Sequence, residues 1–279
     1  MSALTLALVQ MVVSSVVEEN LEKASSMVEK AAAAGALVVA LPEMFSCPYQ
    51  TDLFPLYAQL EGGPMWQWLS ALAIRENIWL VGGSVPELDE QGKVYNTCYV
   101  FDPSGKQVGK HRKVHLFDIN IKNGQKFKES DTLTAGKDLC LVETPFGKIG
   151  IMICFDIRFM EWARLLTDAG ADLLIIPGAF NMTTGPKHWE LLMRMRAVDN
   201  QLFVAAVSPA RDASAGYIAY GHSMIVDPWG EVLHRLDEKE GIMISEIDLS
   251  MNAKIRAQLP VLSARRNDLY ALCVKGEKE

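Results

Sequence analysis

Three side chains that could hydrolyse an amide each lie at the end of a strand-like segment. Cys154 closes KIGIMIC, Glu43 directly follows ALVVALP, and Lys113 lies in GKHRKVHLFD. A thiol can attack a carbonyl carbon, a carboxylate can take up and return a proton, and an ammonium can stabilise the resulting oxyanion. Together, cysteine, glutamate and lysine would supply the chemistry of amide hydrolysis.

Cys154 lies where a strand pattern ends and a helical pattern begins. At such a turn the sulfur can face a pocket, and the backbone N–H of Phe155 can point at developing negative charge. The N-terminus of the helix is expected to favour the thiolate. Taken alone, Cys154 could instead be a packing residue, because free cysteine is among the most buried residue types.

The two partners of Cys154 have ordinary alternatives as well. Glu43 could cap a helix or loop by accepting hydrogen bonds from backbone N–H groups. Lys113 could be a solvated surface lysine, as most lysines are. The catalytic interpretation therefore requires that three separate strand ends meet in space.

The elements that must position these residues are those of an α/β protein. Helical patterns are predicted to begin at Pro64 and to cover residues 159–169 and 186–200. No linker or low-complexity segment interrupts the chain, so we expect one domain over residues 1–279. The apolar runs that predict strands are LTLALV, ALVVAL, IWLVGGS, YVF, KIGIMIC, DLLIIP, LFVAAV and GIMISEI.

Two pairs of segments suggest that the chain has two related halves. AGALVVALP (residues 34–42) resembles AGADLLIIP (residues 169–177), and each half later carries a DPxG turn, at residues 102–105 and 227–230. A DPxG segment fits a type I turn, which favours proline at its second position. The pattern predicts two similar sheets, each flanked by helices and packed face to face. The alternative is that helix, glycine and strand simply recur in this order in α/β proteins.

Composition favours a small-molecule partner. The formal net charge is −7 and no long cluster of lysine and arginine indicates nucleic acid or an acidic membrane. The N-terminus lacks the basic flank of a signal peptide, and the longest nearly apolar stretch, residues 31–42, is too short to span a bilayer. The five cysteines have no CxxC spacing, so we expect reduced thiols in the cytoplasm, without disulfides or zinc.

A metal site at His111 and His115 is not expected either. The two histidines have the i, i+4 spacing that binds metal on a helix, but their segment has the pattern of a strand and loop. No third ligand stands nearby, and no phosphate or dinucleotide motif is present. The sequence therefore predicts no metal and no cofactor.

The motifs resemble the nitrilase superfamily of carbon–nitrogen hydrolases. Its Glu-Lys-Cys triad corresponds to LPEMF, HRKVHLFD and GIMICFDIRF, in the expected order. KFKESDTLTAG carries the family's second glutamate as Glu129, and the C-terminal RRNDLY also matches. The resemblance covers nearly the whole chain and implies a four-layer α-β-β-α sandwich of two similar halves. It also implies a homodimer that packs through helices and exchanges C-terminal arms, here about residues 260–279.

Met160 stands where many members of the superfamily have proline. We expect this departure to change packing at the start of a helix rather than the chemistry.

Within the superfamily, PGAFNMTTGPKHWELLMRMRAVDNQ, SPARD and GHSMIVDPWGE resemble the omega-amidase branch. That branch hydrolyses the terminal amide of dicarboxylic monoamides, such as 2-oxoglutaramate and 2-oxosuccinamate, through a cysteine thioester. The resemblance makes Glu43 the base, Lys113 and the Phe155 amide the oxyanion donors, and Glu129 an orienting group. A nitrilase, an amidase for deaminated glutathione and a non-catalytic dimeric scaffold remain as alternatives.

Such substrates carry a carboxylate, and Arg158 is the candidate to bind it. A guanidinium can hold a carboxylate through two hydrogen bonds, and a residue four positions after Cys154 can project from the same turn. The alternative for Arg158 is a structural ion pair with Glu161 or Asp156.

Three further residues are weaker candidates for substrate binding. Phe180 could form an apolar wall or offer its backbone to the carboxylate, or it could belong to the core. The hydroxyls of Tyr49 and Thr183 could reach the substrate, or both could be ordinary loop residues.

Overall fold

The chain alternates strands with helices in a computed structural model that describes residues 3–121 and 126–275. The strands are β1 (Leu4–Gln10), β2 (Val38–Ala40), β3 (Gln59–Leu60), β4 (Trp79–Val81), β5 (Val85–Leu88), β6 (Val94–Phe101), β7 (Gln107–Arg112), β8 (Asp118–Asn120), β9 (Lys126–Lys128), β10 (Cys140–Thr144), β11 (Gly147–Ile151), β12 (Leu173–Pro177), β13 (Phe203–Val207), β14 (Met224–Val226), β15 (Val232–Arg235) and β16 (Gly241–Ile247). The helices are α1 (Val17–Ala33), α2 (Phe54–Tyr57), α3 (Pro64–Glu76), α4 (Met160–Asp168), α5 (Gly185–Asn200) and α6 (Ser250–Gln258), with 3-10 turns at Glu129–Asp131 and Cys154–Arg158.

The strands form two large sheets whose pairing is repeated. In the first sheet β1, β2 and β4 are parallel, and β6 and β7 follow as antiparallel neighbours. In the second, β11, β12 and β13 are parallel, and β14 and β15 follow in the same way. The edge neighbour of β11 is β10, whereas that of β1 is β16 from the end of the chain. The last strand thus ties the second half of the chain to the first sheet.

The two segments that resemble each other fold alike. Gly35 and Gly170 both end a helix in the left-handed region, with φ of 92° and 103°. In each half the next residue donates its N–H to the carbonyl five residues earlier, as in a Schellman motif. Both DPxG segments turn between the two antiparallel strands of their half. The prediction of two similar halves is confirmed.

The sheets pack face to face between two layers of helices. Leu6, Leu8 and Val38 of the first sheet share one core with Ile151 and Ile175 of the second. The opposite face of the first sheet packs against α1 and α3, and the outer face of the second packs against α4 and α5. Alternate residues of β1 face opposite layers, which explains why a strand buried on both sides is apolar throughout. The predicted four-layer sandwich is confirmed.

The turn that carries Cys154 is anchored by Asp156, which is fully buried. One oxygen, Oδ2, accepts hydrogen bonds from the backbone N–H of Ile153 and from Nε2 of His111 on β7. The other, Oδ1, accepts from the backbone N–H and from Nδ1 of His115. Arg196 of α5 donates to the carbonyls of the last two residues of the same turn. Both sheets therefore hold this turn in place.

The two histidines considered above as metal ligands are thus bound to Asp156. Because a carboxylate can only accept, each ring nitrogen that contacts it carries a proton. Within residues 3–121 and 126–275 no group of three His, Cys, Asp or Glu side chains is arranged to hold a metal ion. In the same residues no helix is long and apolar enough to cross a membrane.

We expect Asp156→Asn to lower the free energy of unfolding by about 2–4 kcal/mol, because an amide cannot accept all four hydrogen bonds and places its own N–H groups against donors. Burial alone would raise the pKa of Asp156, but the hydrogen bonds from His111 and His115 lower it below its ordinary value. The carboxylate therefore contributes stability above the unfolded pKa, near 3.9, and loses it as pH falls toward the folded pKa. Urea unfolding at several pH values measures both effects.

Asp131→Asn is the matched control, because that carboxylate is exposed and its partner is Lys128 on the surface. Its free energy of unfolding should change by less than about 0.5 kcal/mol. Equal stability of Asp156→Asn and wild-type protein would contradict the anchoring role of Asp156.

Candidate active site

Glu43, Lys113, Glu129 and Cys154 meet between the two sheets, and all four are buried. Glu43 follows β2, Lys113 follows β7 and Glu129 opens the 3-10 turn after β9, whereas Cys154 follows β11 of the other sheet. Nζ of Lys113 lies 2.9 Å from Oε1 of Glu43 and 2.9 Å from Oε1 of Glu129. The strand ends therefore converge as the catalytic interpretation requires.

Cys154 has a backbone conformation that is uncommon for a residue with a side chain. Its φ is 46°, in the left-handed region, which costs about 1 kcal/mol or more and is typical of functional sites. After β12 the chain passes close to this residue at Gly178, where a Cβ would lie 3.3 Å from Cα of Cys154. A glycine at that position allows β12 and the cysteine turn to pack together.

The thiol of Cys154 is buried, and the carboxylate of Glu43 is close enough to act on it electrostatically. Burial and the charge of Glu43 raise the pKa of Cys154 well above its ordinary value, and the opposing effect of Lys113 is smaller. The turn is a single 3-10 turn rather than the start of a long helix. The expectation that a helix N-terminus favours the thiolate is therefore wrong: the resting group is a thiol that needs a base.

Glu43 is held by donors on both of its oxygens. Oε1 lies 2.8 Å from Nδ2 of Asn96 and 3.1 Å from the hydroxyl of Tyr49, in addition to Lys113. Oε2 accepts the backbone N–H of Ala179 at 2.7 Å. These contacts fix the carboxylate near the thiol. Glu43 thus accepts one loop N–H, as the capping alternative expected, but its other oxygen contacts the side chains of the buried cluster.

Lys113 remains an ammonium between two carboxylates. Burial alone would lower the pKa of Lys113, but the charges of Glu129 and Glu43 raise it above its ordinary value. Glu129 is fixed in turn by the backbone N–H of Phe117, 2.7 Å from Oε2, and its pKa is raised by burial and by Glu43. Lys113 is thus a permanent positive charge, and not the solvated surface lysine of the alternative.

Tyr49 belongs to this cluster. Its hydroxyl lies 2.5 Å from Oε1 of Glu129, 3.1 Å from Oε1 of Glu43 and 3.3 Å from Nζ of Lys113. A phenol has one proton to donate, and the shorter contact is with Glu129, so the oxygen is left to accept from Lys113. Tyr49 is therefore placed among the catalytic candidates, where it can orient Lys113.

A small cavity opens beside Cys154, and the guanidinium of Arg158 places a cation in the same lining. The residues that line it are Phe117, Cys154, Phe155, Arg158, Ala179, Phe180, Thr184 and Tyr217.

Arg158 has no carboxylate partner among residues 3–121 and 126–275, so the predicted alternative of an ion pair with Glu161 or Asp156 is wrong. Its guanidinium lies between two aromatic rings, 5.5 Å from the centre of Phe155 and 4.8 Å from that of Phe180. Nε is buried without a hydrogen-bond partner in the described part of the chain. The cation is thus available to a ligand.

The remaining predicted residues divide between the cavity and the surface. Phe180 lines the cavity and also packs against Trp189 of α5, with ring centres 5.0 Å apart. It is therefore both a wall of the cavity and part of the core. Thr183 is exposed and is absent from the cavity lining, whereas its neighbour Thr184 contributes to it. The prediction that Thr183 lines the pocket is therefore wrong, and the next residue, Thr184, lines it instead.

The sequence analysis missed several residues of the site. Asn96 carried a signal, since an amide in a strand that is buried throughout needs a buried partner. Tyr217 and Thr184 lie outside regular elements, where no periodicity indicates direction. The hydroxyl of Tyr217 donates to the carbonyl of Ala179 at 2.5 Å, which closes one side of the cavity.

Known proteins share both the sequence and the architecture of this chain. The carbon-nitrogen hydrolase family model matches residues 5–257. An omega-amidase NIT2 of Mus musculus is 51% identical over 272 residues, with 98% of each chain covered. Omega-amidase NIT2 of Homo sapiens is 48% identical over 275 residues, with 99% of each covered.

Among solved structures, Saccharomyces cerevisiae Nit3, a member of branch 10 of the nitrilase superfamily, matches with a TM-score of 0.88 and 42% sequence identity. The match covers 95% of this chain and 97% of that chain. The resemblance predicted from the triad motifs is confirmed, and the chain belongs to the carbon-nitrogen hydrolase family.

Proposed function

We propose that this protein is an omega-amidase, which hydrolyses the terminal amide of dicarboxylic monoamides such as 2-oxoglutaramate and 2-oxosuccinamate. The observation that carries the proposal is the guanidinium of Arg158, which lines the same cavity as Cys154 and has no carboxylate partner in the described residues. A substrate with an amide at one end and a carboxylate at the other would engage both groups. The relatives named omega-amidase support the same substrate class.

In the proposed reaction Glu43 takes the proton of Cys154 as the sulfur attacks the amide carbon. The carbon–sulfur bond forms, the carbonyl electrons move to oxygen, and the ammonium of Lys113 and the backbone N–H of Phe155 donate to that oxyanion. Glu43 returns its proton to the leaving nitrogen, the carbon–nitrogen bond breaks and ammonia departs. A thioester on Cys154 remains.

Water then attacks the thioester, and Glu43 removes a proton from it. The second tetrahedral intermediate breaks its carbon–sulfur bond, and the thiol regains a proton from Glu43. Glu129 and Tyr49 keep the ammonium of Lys113 in place through both steps, since both contact its Nζ. No step calls on a cofactor.

We propose that the protein forms a homodimer in the cytoplasm. The outer face of α5 exposes Leu191, Met195 and Val198 at helical spacing, with Trp229 beside them. The C-terminal segment, proposed as an arm over about residues 260–279, also exposes apolar side chains such as Leu269 in its described part. Apolar surface of this extent is typical of subunit interfaces. The five cysteines are free thiols, as suits a reducing compartment.

An ammonia-release assay tests the reaction. With purified protein we expect the highest kcat/KM on 2-oxoglutaramate, compared with glutamine, a simple nitrile and deaminated glutathione, and an acyl adduct on Cys154 by intact-mass and peptide analysis. Cys154→Ala should abolish turnover because it removes the sulfur that attacks the amide carbon. Cys273→Ala, which removes an exposed thiol, is the control and should retain activity.

The outcomes of this assay separate the alternatives. Preference for deaminated glutathione or for the nitrile would assign the triad to another branch of the family. Inactivity on all four compounds would favour the dimeric scaffold, and an adduct on a different cysteine would overturn the assignment of the nucleophile.

The role of Arg158 is tested by Arg158→Met. We expect kcat/KM for 2-oxoglutaramate to fall at least about 30-fold, equivalent to about 2 kcal/mol, because the substrate carboxylate loses the cation proposed to bind it in a partly buried site. The loss on butyramide, an uncharged short amide, should be far smaller. Arg194→Met, which removes a half-exposed arginine of α5 outside the cavity, serves as control. Equal losses on both amides would assign Arg158 to structure.

The interface is tested by Leu191→Glu, which places a charge on the exposed face of α5. We expect size-exclusion chromatography with light scattering to show a dimer for the wild type and a shift toward monomer for the variant. Leu56→Glu on α2 changes a side chain that is also exposed, but outside the proposed interface. Its mass should match the wild type, and a monomeric wild type would contradict the proposal.

A further inference from the structure

The guanidinium of Arg158 is held by a histidine. His188, in the first turn of α5, places Nδ1 3.2 Å from Nη1 of Arg158. A guanidinium nitrogen can only donate, so Nδ1 must be the acceptor, and the proton of the ring must lie on Nε2. This contact therefore exists only while His188 is neutral.

The surroundings of His188 keep the ring neutral. Burial lowers its pKa below the ordinary value, and the positive charges of Arg158 and Lys187 lower it further. A ring with a lowered pKa is uncharged at neutral pH. His188 is thus a neutral acceptor for a cation.

A neutral acceptor has a different effect on Arg158 from that of an acidic one. A glutamate or aspartate would hold the guanidinium more strongly, but it would cancel the charge that attracts a substrate carboxylate. Through Nδ1, His188 occupies one N–H of the guanidinium and leaves the net positive charge intact. The buried Nε, which lacks an acceptor in the described residues, adds an N–H that a ligand carboxylate could satisfy.

We propose that His188 determines the preference for carboxylate-bearing amides by orienting Arg158 without neutralising it. His188 is a positioning residue in this proposal, since it acts through Arg158 rather than on the reacting atoms. The inference rests on the proposed omega-amidase function and extends it: specificity depends on the charge of the residue behind the carboxylate-binding arginine, as well as on the arginine itself.

Three substitutions separate this role from a merely structural one. His188→Gln keeps a neutral acceptor, His188→Leu removes the acceptor, and His188→Glu supplies a stronger acceptor that is negatively charged. For each variant, KM and kcat are measured on 2-oxoglutaramate and on butyramide. The quantity compared is the ratio of the two kcat/KM values, which reports selectivity for the charged amide.

We expect the selectivity ratio of His188→Gln to stay within about threefold of the wild-type ratio. In His188→Leu the ratio should decrease by about tenfold. In His188→Glu it should fall further, toward the value of Arg158→Met, because the guanidinium is then paired within the protein. The change should appear chiefly as a higher KM for 2-oxoglutaramate. Lys30→Gln, which removes an exposed charge on α1, is the control and should leave the ratio unchanged.

A structural role predicts the opposite order, since the better hydrogen-bond partner would preserve the site best. A selectivity ratio in His188→Glu equal to or above that of His188→Gln would therefore overturn the proposal. So would equal losses on both amides in variants whose thermal unfolding matches wild type. If wild-type protein does not hydrolyse 2-oxoglutaramate, the omega-amidase proposal itself fails, so the two failures are distinguishable.

Discussion

The site depends on one buried ammonium between two carboxylates. Lys113 has no exposed surface, and taking an ammonium out of water costs several kcal/mol unless opposite charges and hydrogen bonds replace its hydration. Glu43 and Glu129 provide those charges, each 2.9 Å away, and each is fixed by a backbone N–H on its second oxygen. Burial, together with two carboxylates that outweigh the single ammonium, explains why Cys154 keeps its proton. A thiolate would add a second net negative charge to a buried cluster, so deprotonation is favourable only when Glu43 takes the proton and total charge is conserved.

The repeated fold explains how this cluster is assembled. In both halves the parallel strands end at the same edge of their sheet, and the face-to-face packing brings the two edges together. The first half supplies Glu43 and Lys113, and the second supplies Cys154 and the backbone N–H of Ala179 that holds Glu43. Asp156 then locks the cysteine turn to β7 through His111. The nucleophile and its base are consequently positioned by the contact between halves, and neither sheet alone contains the reaction centre.

Sequence reasoning reached the fold and the triad because both leave local signals. Glu43, Lys113 and Cys154 each follow a strand, and paired motifs identified the halves. The apolar runs identified eight of the sixteen described strands, which are β1, β2, β4, β6, β11, β12, β13 and β16. It failed where geometry depends on contacts distant in sequence. The protonation state of Cys154 depends on burial and on Glu43, which lies more than one hundred residues away in the chain. The choice between Thr183 and Thr184 depends on a loop without periodicity, and the partner of Arg158 lies on a different helix.

The charges of the cavity also constrain how a substrate can lie. Glu43 and Glu129 make the region around the thiol negative, whereas Arg158 is a cation without a carboxylate partner in the described residues. A monoamide of a dicarboxylic acid is repelled at its carboxylate end by the first region and attracted there by the second. Its amide end is uncharged and can enter beside Cys154 without an electrostatic penalty of that kind. The same charges therefore favour the reactive orientation of the substrate and oppose the reversed one. After hydrolysis they repel the product, because its new carboxylate forms next to Glu43. Charge separation across the cavity thus contributes both to substrate orientation and to product release.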